Sequence, residues 1–216
     1  RERVYGDLWY RDRVRIFAEF IDADTFNQDL PPLVTDRNHG DFLNLFADVK
    51  LFDVDDHPVY FRGGRQELLY GSERLISPLD WANDRRTFQG GKLFYRGDKL
   101  DVDLFLVQPV VPDPQHFDSV DNEQVFSGLW NTYRPRQGQF MDFYYLNLDN
   151  THPVARGRNG AVDGFNVNTF GSRYAGYANN LLFDFEGMLQ FGSWSNQSTL
   201  AEAYRDCSMV SAVPGQ

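Results

Sequence analysis

The chain has 216 residues, which is enough for one domain with a full core and too few for two ordinary domains. Its net charge of −10 argues against a nucleic-acid partner, and its single cysteine, Cys207, excludes an internal disulfide and a cysteine-based zinc site. Aromatic residues make up 16% of the chain, and because rings suit pleated surfaces we expect an all-β protein.

Nine segments in which apolar and polar residues alternate predict β-strands, and almost no helical period is present. In chain order they cover 13–22, 42–52, 59–66, 88–96, 100–108, 125–133, 140–148, 165–174 and 182–191. The first places Val14 and Ile16 opposite Arg15, and the second places Leu43 and Leu45 together on one face. Each strand therefore has an uncharged face and a face that mixes charges with rings.

The predicted connections between these strands alternate in length along the chain. The long ones cover 23–41, 67–87, 109–124 and 149–164, and the short ones cover 53–58, 97–99, 134–139 and 176–180. Long loops at one end of the strands and short turns at the other are typical of outer-membrane barrels. A soluble β-sandwich also has many short strands, but its Greek-key connections rarely give so regular a sequence of loop lengths.

The two-faced strands are compatible with two kinds of protein. In a sandwich the charged face meets water and the apolar face packs on a second sheet. In a membrane barrel the apolar face meets lipid and the charged face lines a wet lumen. Alternation alone leaves both open, and the loop lengths favour an antiparallel up-and-down transmembrane β-barrel.

The pattern fades near the end of the chain. Thr199 followed by Glu202 forms a capping-box pattern that predicts a short helix over 198–209, and a tenth strand is the alternative. We therefore expect a single β-barrel segment over 1–216, with strands from about 13 to 192 and an irregular or short helical tail over 193–216.

One stretch carries a specific motif. Residues 62–88 read RGGRQELLYGSERLISPLDWANDRRTF, with Gly-Arg-Gln-Glu-Leu, Tyr-Gly, Arg-Leu, Trp, Asn, Arg-Arg and Phe in that order. This order resembles the motif of the alginate-export family of outer-membrane porins. A second, less specific likeness lies in Thr-Phe-Gly-Ser-Arg over 169–173, Asp-Phe-Glu over 184–186 and Gln-Phe-Gly over 190–192. Together the likeness covers most of the chain from about Tyr10 to Gly192.

The resemblance implies a bacterial outer-membrane porin, not an enzyme, whose arginine-rich lumen passes an anionic polysaccharide such as alginate by passive export or diffusion. Outer-membrane lipid and the polysaccharide are the implied partners, and periplasmic secretion components are further candidates. About nine strands are roughly half of such a barrel, and an odd number does not close a usual bacterial one. Because the chain also begins at Arg1 without a signal peptide, we expect it to be a partial chain.

The residues that we expect along the substrate path are basic, because guanidinium forks bind carboxylates bidentately. Those on the motif are Arg62, Arg65, Arg74, Arg85 and Arg86, and those on the charged face of other strands are Lys92, Arg96 and Arg173. The alternative is that these side chains pair with acids of the same face and hold the wall together. The acids on that face, among them Asp48, Asp103 and Glu186, also weigh against a purely anion-selective path.

Signals for other functions are weak. His39, His57, His116 and His152 all fall in predicted loops or turns, where a solvated side chain is the ordinary outcome. No nucleophile elbow, phosphate loop or zinc motif is present, so we expect no cofactor and no metal site. We expect Asp53, Asp55 and Asp56 to form a solvated acidic turn, and a calcium site is the alternative there. The alternatives from other classes are a soluble β-sandwich that binds carbohydrate and an all-β polysaccharide lyase or hydrolase.

Overall fold

The computed structural model describes residues 1–26, 29, 36–156, 162–178, 180–194 and 209–213, and their regular structure is entirely β-strand. The strands are β1 (Glu2–Tyr10), β2 (Val14–Ala23), β3 (Asn38–Val54), β4 (His57–Gln66), β5 (Phe88–Arg96), β6 (Leu100–Val111), β7 (Ser119–Val120), β8 (Gln124–Arg136), β9 (Gln139–Arg156), β10 (Val162–Ala178), β11 (Leu181–Trp194) and β12 (Met209–Val213). Within these ranges no helix has the length and hydropathy needed to cross a membrane. The all-β prediction is confirmed.

The strands form two compact units, one of residues 1–93 and 107–122 and one of residues 94–106 and 123–216. In the first unit β1, β2, β3 and β4 pair antiparallel in chain order. In the second unit β8, β9, β10, β11 and β12 do the same. Strand order follows chain order from β1 to β12, apart from the short β7, which pairs with β6. This antiparallel up-and-down order confirms the predicted topology and is the arrangement of a β-barrel wall.

Three strands were not predicted, and the turn that follows β1 explains one of them. β1 contains Gly6 and Asp7, which are residue types depleted in strands, yet it pairs with β2 over nine residues. The turn between them has positive φ at Arg11 (48°) and Asp12 (52°), the twist that suits a two-stranded hairpin. The other unpredicted strands are β7 and β12. Most of the helix predicted over 198–209 lies outside the described residues.

The alternation of connection lengths is present in the structure. Two or three residues separate β1 from β2, β3 from β4, β5 from β6 and β8 from β9, whereas residues 67–87 separate β4 from β5. The long loop predicted over 149–164 is wrong for most of its length. β9 continues to Arg156 and β10 begins at Val162, because the antiparallel ladder between them extends past the predicted strand ends.

A β-bulge changes which face of β3 carries each residue. Asn44 lies opposite Glu19 and Phe42 opposite Phe20, so Leu43 is an extra residue without a partner. As a result Phe42 and Leu45 are 40% and 43% exposed, whereas Leu43 is only 3% exposed. The prediction that Leu43 and Leu45 share one face is therefore wrong, because alternation in the sequence cannot show where a strand takes up an extra residue.

Both units expose many apolar side chains of their strands and bury several of their charged ones. In the second unit Leu104 and Phe185 are 50% and 63% exposed, whereas Asp142 is buried; in the first unit Phe61 is exposed, whereas Asp48 is 1% exposed. We call the exposed side of each unit its apolar face and the other side its polar face. A β-sandwich would bury its apolar face against a second sheet. A broad exposed apolar surface is instead typical of a protein that contacts a partner or a membrane.

Candidate functional site

In the first unit the polar face is built around one buried carboxylate. Arg62 Nε and Nη2 donate to Asp48 Oδ1 and Oδ2 at 2.6 and 2.8 Å, and the guanidinium lies 3.6 Å from the Phe46 ring centroid. Arg15 Nη1 lies 3.6 Å from the same carboxylate and binds Asp7 bidentately at 2.8 and 3.0 Å. The register causes this arrangement, because Asp48 lies opposite Arg15 on one side and opposite Arg62 on the other.

Arg65 lies farther along β4 and connects strands to a loop. Its Nη1 donates to Asp41 Oδ2 at 2.8 Å and to the Phe42 carbonyl at 2.9 Å, and its Nη2 donates to the Asp118 carbonyl at 3.1 Å. The guanidinium is mostly buried. Arg65 therefore holds β4, β3 and the segment before β8 together within the first unit.

The motif Gln-Glu-Leu positions the segment 67–87, which connects β4 to β5. The Glu67 backbone N–H donates to Asn44 Oδ1 at 2.9 Å, and the Glu67 carboxylate accepts from Asn44 Nδ2 at 3.2 Å. Arg85 donates to Glu67 and also pairs with Asp80. Leu68 and Ile76 are buried, so this segment is packed against the first unit. The motif residues thus fix a connection to the polar face of β3.

The other predicted residues of the first unit lie at its surface or near a ring. Arg74 and Arg86 are exposed, and the Arg86 backbone N–H donates to the Pro78 carbonyl at 2.9 Å. Lys92 Nζ lies 5.9 Å from the centroid of the Tyr70 ring.

In the second unit arginines of the polar face also pair with carboxylates. Arg96 Nη2 donates to both oxygens of Asp103 at 2.7 and 2.9 Å. Arg173 binds Asp184 bidentately at 2.8 and 2.9 Å and also lies 3.3 Å from an oxygen of Asp142.

Sequence analysis missed Arg134 because a turn was predicted over 134–139. The structure continues β8 to Arg136, and Arg134 Nη1 donates to Asp101 Oδ1 at 3.0 Å. A signal was present, because Asp101 lies on the charged face of a predicted strand and a buried carboxylate there needs a partner.

A second missed group joins three separate segments of the first unit. Asn38 Nδ2 donates to Asp84 Oδ1 at 2.8 Å and to Asp118 Oδ2 at 3.1 Å, while the Asp118 backbone N–H donates to Asp41 Oδ2 at 2.8 Å. Burial raises the pKa of the Asp84 carboxyl to about 6 and also raises the pKa of Asp118. Within the described ranges no cluster of His, Cys, Asp and Glu has a geometry that would hold a metal ion.

The sequence profile described as alginate export matches residues 1–206. The chain belongs to the alginate export family. No curated protein and no solved structure matches the chain. The resemblance inferred from the motif over 62–88 is therefore confirmed, and this family consists of export porins and not of enzymes. The all-β antiparallel fold of this chain fits a β-barrel of the outer membrane that transports polysaccharide.

Most of the basic residues predicted for this alginate export family chain lie in ion pairs. Pairs with acids of their own unit are made by Arg62, Arg65, Arg85, Arg96 and Arg173. Each is fixed in orientation by its carboxylate, so the polar faces are ordered networks with both signs of charge. The assignment of these eight residues to a substrate path stays a prediction.

The raised pKa of Asp84 predicts that the attachment of segment 67–87 to the rest of the first unit depends on pH. Because its pKa is about 6 when packed, compared with an ordinary value of 3.8, the packed segment binds the proton more tightly. Attachment is therefore strongest at low pH and weakens as the pH rises from about 4 through about 6, because the ionised Asp84 carboxylate is buried and lies near the charge of Asp118. Protection of the amides of 67–87 from hydrogen exchange, corrected for intrinsic rates, is expected to fall between pH 5 and pH 8.

The variant Asp84→Asn removes the titrating group and keeps an oxygen for Asn38. We expect it to retain at pH 8 the protection that the wild type has at pH 5. Asp55→Asn is the matched control, because Asp55 lies in the tight turn between β3 and β4 at a positive φ that asparagine accepts. Equal protection of wild-type 67–87 at both pH values would show that Asp84 does not govern the attachment.

Proposed function

We propose that this chain forms part of the wall of an outer-membrane porin through which an anionic polysaccharide such as alginate diffuses passively. The observation that carries the proposal is the inverted burial of both units, with leucine and phenylalanine exposed and ion-paired carboxylates buried. In water such a surface is unfavourable, whereas acyl chains match it at no hydrophobic cost. Outer-membrane lipid is thus the partner proposed for the apolar face, and periplasmic secretion components stay a prediction.

The polar faces support the transport part of the proposal. A passing polyanion needs several weak contacts in succession, since one tight site would stop it. Arginines that already hold acids offer only their outer edges to a uronate, which gives contacts of that kind. The side chains of Arg96 and Arg134 are 45% and 42% exposed although each is paired, so part of each guanidinium remains open to a second anion.

The test is conductance of the full-length protein in planar bilayers. We expect open channels whose current is interrupted by alginate oligomers added to one side, with interruptions that become rarer as salt is raised. Neutral glucan oligomers of the same length are the control and are expected to interrupt the current less often. Absence of channels, or channels that alginate does not interrupt, would contradict the proposal.

The expected contribution of individual arginines can be measured in the same assay. Arg96→Gln is expected to lower the frequency of alginate interruptions at low salt, because one partly exposed charge is lost from the polar face. Arg11→Gln, in the exposed turn between β1 and β2, is the matched control for loss of one positive charge. Equal effects of both variants would indicate a general charge effect and not a path that includes Arg96.

A further inference from the structure

An exposed series of rings lies on the polar face of the first unit. Register and alternation place Tyr5 and Trp9 on the same side of β1 as Asp7, which binds Arg15 of the polar face. Tyr5 and Trp9 are 69% and 52% exposed, whereas the neighbouring Phe46 is buried. Large rings are thus left open on the polar face along β1, a strand whose residues are all exposed.

The rings are ordered by stacking across three strands. Tyr5 and Phe17 stack with centroids 5.9 Å apart and an interplanar angle of 24°, and Phe17 and Phe46 stack at 5.2 Å and 20°. Arg62 caps the far end of this stack over Phe46. Offset stacking of this kind fixes the orientation of each ring. Tyr5, at one end of the stack, remains 69% exposed.

Trp9 continues the series along β1. It lies four residues from Tyr5, which is about 13 Å along an extended strand. The Arg15 guanidinium lies 5.3 Å from the Trp9 ring and 5.2 Å from the Phe17 ring, so a cation lies between Trp9 and the half-buried Phe17. Tyr60 contacts Trp9 edge to face at 6.4 Å and supports its orientation.

The charges beside these rings are already in use. Arg15 Nε and Nη2 donate to Asp7, its Nη1 lies 3.6 Å from Asp48, and Arg62 is held bidentately by Asp48. A carboxylate passing here must compete with fixed acids, whereas the rings of Tyr5 and Trp9 remain 69% and 52% exposed. Aromatic faces accept the apolar C–H face of a pyranose, and a nearby guanidinium edge adds a weak contact to a uronate carboxylate.

We propose that Tyr5 and Trp9, held in place by Phe17 and Arg15, form a stacking track for the sugar rings of a uronic-acid polysaccharide. This inference rests on the proposed function and adds to it the way in which the chain is recognised. The track distinguishes a polymer of pyranose rings from a flexible polyanion of equal charge, because only the former has ring faces to stack. Arg15 adds a weak contact to the carboxylate, and the rings make the main contact with the sugar.

The experiment compares two polyanions in bilayers that contain the full-length protein. Oligouronate and polyglutamate of equal charge are added separately, and the residence time of each in the channel is measured. Trp9→Leu and Tyr5→Leu are each expected to shorten oligouronate residence by about two- to tenfold, the range of one aromatic stacking contact. The residence of polyglutamate is expected to change by less than twofold, which is about 0.4 kcal/mol or less.

Matched variants separate loss of stacking from loss of structure. Trp9→Phe and Tyr5→Phe keep a ring and are expected to retain most of the oligouronate residence. Tyr10→Leu removes a ring next to Trp9 from the other side of β1 and is expected to leave both residence times unchanged. Equal shortening for both polyanions, or no change in the leucine variants, would overturn the track. A wild-type channel that oligouronate never enters would overturn the proposed function itself.

Discussion

Replacing Leu104 by arginine is expected to destabilise the folded protein in a bilayer by about 2–4 kcal/mol. Leu104 is 50% exposed in the middle of β6, between Asp103 and Phe105, whose side chains are buried on the polar face. In water an exposed leucine accepts arginine at almost no cost. In a membrane the charge must leave water or draw water into the hydrocarbon, and the cost is largest at mid-depth.

The measurement is urea-induced unfolding of the full-length protein in lipid vesicles, with gel mobility of the unheated sample as a second readout. Leu100→Arg is the matched control, because Leu100 lies on the same face of the same strand but directly after the turn 97–99. We expect it to cost only about 0–1 kcal/mol near the interface. Equal costs at both positions, or none at Leu104, would show that lipid does not cover the apolar face.

Replacing Asp48 by alanine is expected to cost about 3–5 kcal/mol, the usual result when one partner of a buried ion pair is removed. Asp48 is 1% exposed and holds Arg62 bidentately, with Arg15 close to the same carboxylate. Without it the guanidinium of Arg62 stays beside Phe46 and loses its bidentate partner. The same vesicle unfolding assay measures the loss.

Two further variants identify the cause of the Asp48 effect. Asp48→Leu combined with Arg62→Leu removes both charges, and we expect it to recover much of the stability that Asp48→Ala loses. Asp53→Ala breaks the exposed pair with Lys50 and is expected to cost about 0–1 kcal/mol. If Asp48→Ala costs no more than Asp53→Ala, the pair does not stabilise the polar face.

Local sequence patterns were sufficient for much of the fold. Two-residue alternation and the short connections predicted the antiparallel order, because a tight turn can join only antiparallel neighbours. The side of Leu43 was not predictable, since the bulge depends on how β3 pairs with β2. The ends of β9 and β10 were missed for the same reason: the ladder continues through polar residues such as Asn150 and Asp163, whose types favour loops.

The candidate site was predicted only in part. The motif and the strand alternation indicated Arg62 and Arg65 as residues of the polar face, but their acidic partners depend on cross-strand register. The group formed by Asn38, Asp84 and Asp118 joins positions up to 80 residues apart, and nothing in the local sequence marks them as neighbours. Stacking between Tyr5 and Phe17 likewise requires β1, a strand that was not predicted.

The extra residue at Leu43 has a consequence for how the length of such a strand can change in evolution. Removing a residue from the regular part of β3 would turn every following side chain to the opposite medium, with leucines in the ion-pair network and carboxylates in oil. Removing Leu43 would leave Phe42, Asn44 and Leu45 on their present sides. Single-residue deletions in β3 among homologues are therefore expected at this place and not within 44–50.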